Sequence, residues 1–211
     1  MSKFHEFPID EYQSEWIFRP LRNKKDVLIL LMRTIKVMLL GKSLPPPRHE
    51  VGKIVLFVSK MSRIFFVSEK KIFSIALPFV VDDAGESLVF KDSLHPLIDN
   101  KLTSDIISIL ENDVVLTTPD VYSFFDQICP LIDYDANLWQ FFRKLLTSED
   151  GYIRYDFDDV HEDGHKHPLH HLDVFYESHA SFKLGLGGSI DRAIFQEILD
   201  ITTDCYYAVP A

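Results

Sequence analysis

The sequence predicts an α+β fold, with antiparallel sheet or sheets, a central helical segment, and flanking N- and C-terminal helices. Three observations carry this. Residues 24–40 repeat apolar side chains at close to a 3.6-residue period, the segments 53–81 and 152–186 hold short runs rich in Val, Ile and Phe between polar breaks, and 103–146 returns to helical spacing. The chain has 211 residues, 46% of them apolar, which suffices for one substantial core. A single domain over 1–211 is expected, with two lobes inside it: 1–115, a helix plus a basic β-meander, and 116–211, helices plus a His-rich sheet and closing helix.

In order along the chain, the helix at 24–40 places Val27, Leu28, Leu31, Ile35, Met38 and Leu39 on one side, and Gly41 is its natural stop. Three consecutive prolines at 45–47 cannot continue a helix and stiffen a hinge toward the sheet. Strands are expected at 54–59, 63–68 and 71–80, then helices at 103–110, 119–128 and 136–146, with Thr118 capping the second ahead of Pro119. The last sixty residues give strands at 152–157, 169–176 and 181–186 and a helix from 190 to about 203.

Composition excludes several classes. Cys129 and Cys205 stand far apart with no C-x-x-C pair, which argues against a disulfide framework or thiolate metal site and for a reducing compartment. The start lacks the basic-then-apolar run of a secretory signal, and the apolar stretch at 27–40 is broken by Arg33 and Lys36. A cytoplasmic location with no membrane association is expected. Net charge is −10, yet the segment 24–71 alone carries +8, leaving −18 on the remainder. Such a dipolar chain can offer a polyanion one basic face, with Lys53, Lys60, Arg63, Lys70 and Lys71 as candidate nucleic-acid contacts, or can pair with a partner by charge. Solvated rims on amphipathic elements are the plain alternative.

The chemically loaded segment is 154–183, which holds six of the nine histidines between His161 and His179. Because successive strand side chains alternate faces, Ile153, Tyr155 and Phe157 oppose Tyr152, Arg154 and Asp156, Leu172 and Val174 oppose His171 and Asp173, and Phe182, Leu184 and Leu186 oppose Lys183. If the strands are neighbours with the apolar sets on the core, then Arg154, Asp156, His171, Asp173 and Lys183 share the other face. An imidazole there can move a proton, Asp173 or Asp156 can hold its tautomer, and Arg154 and Lys183 can neutralise a developing phosphorane. The alternative is a half-solvated sheet whose outer charges merely pair across strands.

The intervening loop, 158–168, carries Asp158, Asp159, His161, Glu162, Asp163, His165 and His167. Cleavage of RNA by its own 2′-hydroxyl needs no cofactor, and none is expected; a divalent metal on these histidines and carboxylates stays open, although no H-E-x-x-H pattern is present and a solvated acidic loop is the plain alternative. Gly185, Gly187 and Gly188 precede the closing helix, where a turn with Ser189 as N-cap is expected in place of a phosphate cradle.

Arg154-Tyr155-Asp156, then His167-Pro168 with His171-Leu172, then Lys183, then Phe195, Ile198 and Tyr206 form a pattern over the last sixty residues. This resembles a family of uncharacterised bacterial proteins with an R-Y/F-D and H-P-x-x-H-L signature, which usually carries Arg at the position of Lys183. The pairing of R-Y-D with a histidine cluster also looks like the shorter TumE-type toxins. These resemblances imply a toxin or antiviral-defence setting in which Arg154, Asp156, His171 and Lys183, with His167 and Asp173 in support, act as a nuclease or phosphodiesterase on RNA, DNA or a nucleotide. The acidic balance favours a rival expectation, a non-catalytic regulatory or antitoxin-like partner subunit within a defence or toxin-antitoxin operon, in which the −18 remainder masks a basic surface.

Overall fold

The computed structural model describes residues 3–41, 45–83, 88–112, 129–130, 135–164, 166–177, 180–204 and 206. Along the chain run β1 (Lys3–Ile9), α1 (Glu11–Ile17), α2 (Lys24–Leu40), β2 (Gly52–Val58), β3 (Arg63–Val67), β4 (Lys71–Ala76), β5 (Val80–Asp83), β6 (Leu88–Lys91), α3 (Asn100–Glu111), α4 (Ala136–Thr147), β7 (Ile153–Phe157), β8 (His170–Glu177), β9 (Ala180–Gly185) and α5 (Arg192–Leu199). The α+β class is as expected. The helix expected at 119–128, with its Thr118 cap, falls outside the described residues.

A seven-stranded antiparallel sheet in the order β1-β2-β3-β4-β7-β8-β9 dominates, and β5 with β6 forms a separate hairpin. The sheet therefore draws strands from both halves of the chain, joined where β4 meets β7 through Lys71↔Asp156 and Phe73↔Arg154. The meander β2-β3-β4 is as the sequence predicts, but the third strand ends at Ala76 and not at residue 80. Pro78, two residues on, has no N–H to give a ladder. β1 was not predicted; it pairs with β2, and Pro8 is tolerated there because β1 is an edge.

Both faces of β2–β4 are buried, which is why their sequences read as continuous apolar runs. On one face Phe7, Ile54, Leu56, Ile64, Phe66, Phe73 and Ile75 join α2, α3 and α4 in the principal core. Helix α2 is buried at six consecutive positions, Val27 to Met32, so it is enclosed on more than one side. On the opposite face Val55, Phe57, Phe65, Ile72, Tyr155 and Leu172 form a smaller core closed by Phe195 of α5, whose ring meets Phe65 edge-on at 6.0 Å. Asp191 caps α5 by accepting from Ile194 N, so Ser189 is not its N-cap and the helix is shorter than the expected 190–203. Among the described residues, no helix is long and apolar enough to cross a membrane.

Candidate functional site

The strand phase expected for the C-terminal segment is the one observed. In register, Arg154 lies opposite Asp173 and Asp173 opposite Lys183; one rung along, Asp156 lies opposite His171 and His171 opposite Gly185. All five predicted residues thus share a face. The face itself is a correction: the polar set does not lie on a solvated outer surface. It continues the principal-core face past Phe73, at the β7–β9 end of the sheet. His171 is 1% exposed, Asp156 8% and Asp173 6%, so charge here is buried and must be paired.

Pairing is extensive. Arg154 Nε donates to Asp156 Oδ2 at 2.6 Å, and its Nη2 donates to Asp173 Oδ2. Burial works against the guanidinium's charge, but Asp156, Tyr152 and Asp173 outweigh it, and the Arg154 pKa is raised above its ordinary value. Arg154 is therefore committed to two carboxylates, as a clamp on the protein and not on an incoming phosphate. Asp173 does not set the tautomer of His171 either. His171 Nδ1 sits 2.8 Å from Pro168 O and, as the acceptor is a carbonyl, it is the N–H donor. That leaves Nε2 as an acceptor directed at Lys183 Nζ 3.4 Å away, with Asp173 Oδ1 at 3.8 Å and Asp156 Oδ2 at 3.9 Å.

Gly185 makes this arrangement possible. It occupies the strand position beside His171, and a Cβ there would lie 3.0 Å from Pro168 Cγ. Without a side chain at 185 the loop settles against β9 and brings the Pro168 carbonyl to the imidazole. The loop is folded on itself: Asp163 and His167 exchange backbone hydrogen bonds, and the Asp158 carboxylate accepts from Val160 N and His161 N and contacts His161 Nδ1. Burial pushes the carboxyl up, but those bonds together outweigh it and hold Asp158 below the usual carboxylate range. His167 Nε2 lies 3.6 Å from Asp158 Oδ2, and its ring centroid is 4.7 Å from that of His171, so the predicted supporting role is geometrically open to it. His165 lies outside the described residues. His170 faces the other way, bonded to Tyr155 OH at 2.9 Å.

Two further residues join the cluster: Lys71, which the sequence assigned to a basic surface, and Tyr152, which it placed on the same strand face without a role. Lys71 of β4 lies opposite Asp156; burial lowers its pKa, with Asp156 acting against that shift. Tyr152 lies beside Arg154, and burial raises its phenol. The signal for Lys71 was hidden, because the β4–β7 pairing links residues some eighty positions apart; that for Tyr152 was legible, since alternation puts it on the Arg154 face. Two carboxylates are thus set among three cations, Lys71, Arg154 and Lys183.

The basic surface is less continuous than the segment's charge implies. Arg63 is buried, with Nε donating to Ser74 Oγ at 2.9 Å and Nη2 to Gly151 O, so it is not available to a nucleic acid. Lys53 pairs with Glu6 and Lys70 with Asp159, each at 3.0 Å, while Lys60 is exposed.

No protein-family model matches the chain, and no curated protein or solved structure is similar to it. The chemistry has to be argued from the cluster itself.

Proposed function

We propose that this chain acts on a phosphodiester of RNA, DNA or a nucleotide in a bacterial toxin or antiviral-defence module. The observation that carries the reading is the approach of Lys183 Nζ to Nε2 of His171, beside two carboxylates locked by Arg154. Lys183 is 39% exposed on its side chain, so its ammonium can leave the imidazole for a phosphate oxygen at the sheet edge. That movement uncovers Nε2, which takes the proton of an attacking hydroxyl as the new O–P bond forms; the leaving oxygen takes a proton in return. Arg154 acts as a positioning residue, and Lys71 adds positive charge. The R-Y-D and H-P-x-x-H-L resemblance supports the same setting.

The test is cleavage of RNA and DNA by the purified chain. His171→Ala should lower the rate by about 10²–10⁴-fold, the usual worth of a general base. Full activity in His171→Ala and Lys183→Ala ends the proposal.

The burial of His171 favours a second reading, in which the network only ties β7, β8 and β9 together within a regulatory or antitoxin-like subunit. Retention of a nuclease or ATPase partner by the intact chain, and its loss when Lys60, Lys70 and Lys71 are neutralised, would select this reading.

A further inference from the structure

We infer that Asp156, His171 and Asp173 form a binding site for one divalent first-row transition-metal ion, in which the Lys183 ammonium is the competing occupant. The inference goes beyond the phosphodiester reading and does not depend on it: an ion on Nε2 takes the lone pair that a general base would use, so the two describe different occupancies of the same atom.

One ligand atom from each of the three residues lies within 4.8 Å of the other two, and all three residues are buried. Adjacent strands β7 and β8 supply them: Asp156 and His171 are direct cross-strand partners, and Asp173 is two residues further on the same face. Proximity of acids alone would mean little. The hydrogen bonds are more specific.

Arg154 uses Oδ2 of Asp156 and Oδ2 of Asp173. The second oxygen of Asp156, Oδ1, is buried and has no hydrogen-bond partner among the described residues. The second oxygen of Asp173, Oδ1, has the Lys183 ammonium as an ion-pair partner at 3.8 Å, beyond hydrogen-bond distance. Leaving a buried carboxylate oxygen unpaired is unfavourable, so Asp156 is held in a form that rewards a cation; its Oδ2, 3.9 Å from His171 Nε2, is the oxygen shared with Arg154. His171 is prepared in the same sense. Its Nδ1–H is spent on the Pro168 carbonyl, the arrangement that orients metal-binding histidines and leaves Nε2 as the ligand atom.

Lys183 already places positive charge at this spot, 3.4 Å from Nε2 and 3.8 Å from Asp173 Oδ1. These distances are long for strong bonds, and the lysine stem reaches solvent, so an ion can displace it without disturbing a strand. Two carboxylates and one imidazole suit Mn²⁺ or Zn²⁺ better than Ca²⁺, which prefers oxygen ligands throughout. With Arg154 retained, the occupied site carries surplus positive charge, and it would then favour an anionic ligand such as phosphate.

The experiment is titration of MnCl₂ into the full-length chain without substrate, followed by calorimetry and by pulsed electron paramagnetic resonance. One Mn²⁺ should bind per chain, with hyperfine coupling to one directly bound ¹⁴N. Lys183→Met should bind Mn²⁺ at least about tenfold more tightly because its competitor is gone, and Asp156→Asn should bind at least about tenfold more weakly. Asp159→Asn, on the neighbouring loop, should bind as the unaltered chain does. The resonance measurement needs no variant, so a misfolded substitution cannot protect the inference. Absence of Mn²⁺ binding, binding without nitrogen coupling, or an affinity unchanged in both Lys183→Met and Asp156→Asn would overturn it. None of these outcomes involves cleavage, so they leave the phosphodiester reading to its own test.

Discussion

Gly185 and Pro168 meet so closely that a Cβ on residue 185 would come within 3.0 Å of Pro168 Cγ. The contact seats the 158–168 loop and delivers the carbonyl that fixes His171. Gly185→Val should therefore lift the loop, break the Nδ1–H bond and cost about 1–3 kcal/mol, the usual range for overpacking. Urea denaturation gives the stability, and ¹⁵N NMR of the histidine rings gives the tautomer. An unchanged His171 ring spectrum would show that the carbonyl is not what holds it.

Arg154 bonds two buried aspartates at once. Arg154→Ala leaves both without their main partner and should lower stability by about 3–5 kcal/mol, the cost of breaking a buried pair from one side. Arg154→Lys restores charge but cannot reach both carboxylates with a planar fork, so it should recover only part of the loss. Urea unfolding midpoints of the three proteins check this, and equal stability of the lysine variant and the original would show that charge alone suffices.

The alternation in Ile153 to Asp156, in His171 to Val174 and in Phe182 to Lys183 was enough to put the five polar residues on one face, because strand period depends only on local geometry. What local geometry cannot give is which face meets the principal core. β7 and β8 have an apolar set, Tyr155 and Leu172, that does pack, but against the smaller core under Phe195. The larger core lies on the polar side because β2–β4 are apolar on both faces, and it is their neighbours that determine the layer. Lys71 was assigned to a basic surface for the same reason: its partner Asp156 is remote in sequence, and only the β4–β7 ladder brings them together. Ser189 and Asp191 are equally able to cap a helix by residue type; the backbone at Asp191 gives its carboxylate the Ile194 N–H. The helices α3 and α4 were legible because their apolar periodicity faces a single core.

Gly151 precedes β7 and has φ +54°, and its carbonyl receives the buried Arg63 guanidinium. A Cβ there would approach Ala76 Cβ and Arg63 Nη1, each at 3.2 Å. Gly151→Ala should cost about 1–2 kcal/mol from the left-handed backbone alone. Crowding of the arginine adds to this, and because Arg63 also holds Ser74, the loss should exceed that of the backbone penalty. Thermal denaturation checks it, and a variant as stable as the original would mean the turn can relax to negative φ.

Asp92 makes acid stability testable at a site away from the histidines. Its side chain is fully buried and accepts from Lys144 Nζ, from Leu94 N at 2.6 Å and from His95 N at 3.2 Å. Burial alone would raise its pKa, but those donors outweigh it and the carboxyl titrates below its ordinary value. Between the folded value and the unfolded value near 3.9, the unfolded chain therefore binds more protons than the folded one, so stability falls as pH drops through that window. Above it the contribution is present in full. Asp92→Asn keeps an acceptor but loses the charge, and should cost about 1–3 kcal/mol at about pH 7. The difference between the two proteins should shrink below about pH 4, where the unfolded chain takes up a proton that the folded carboxylate still excludes. Urea unfolding at both pH values decides it. A gap that is as wide in acid as at neutrality would show that the Lys144 bond contributes through shape, with no share from charge.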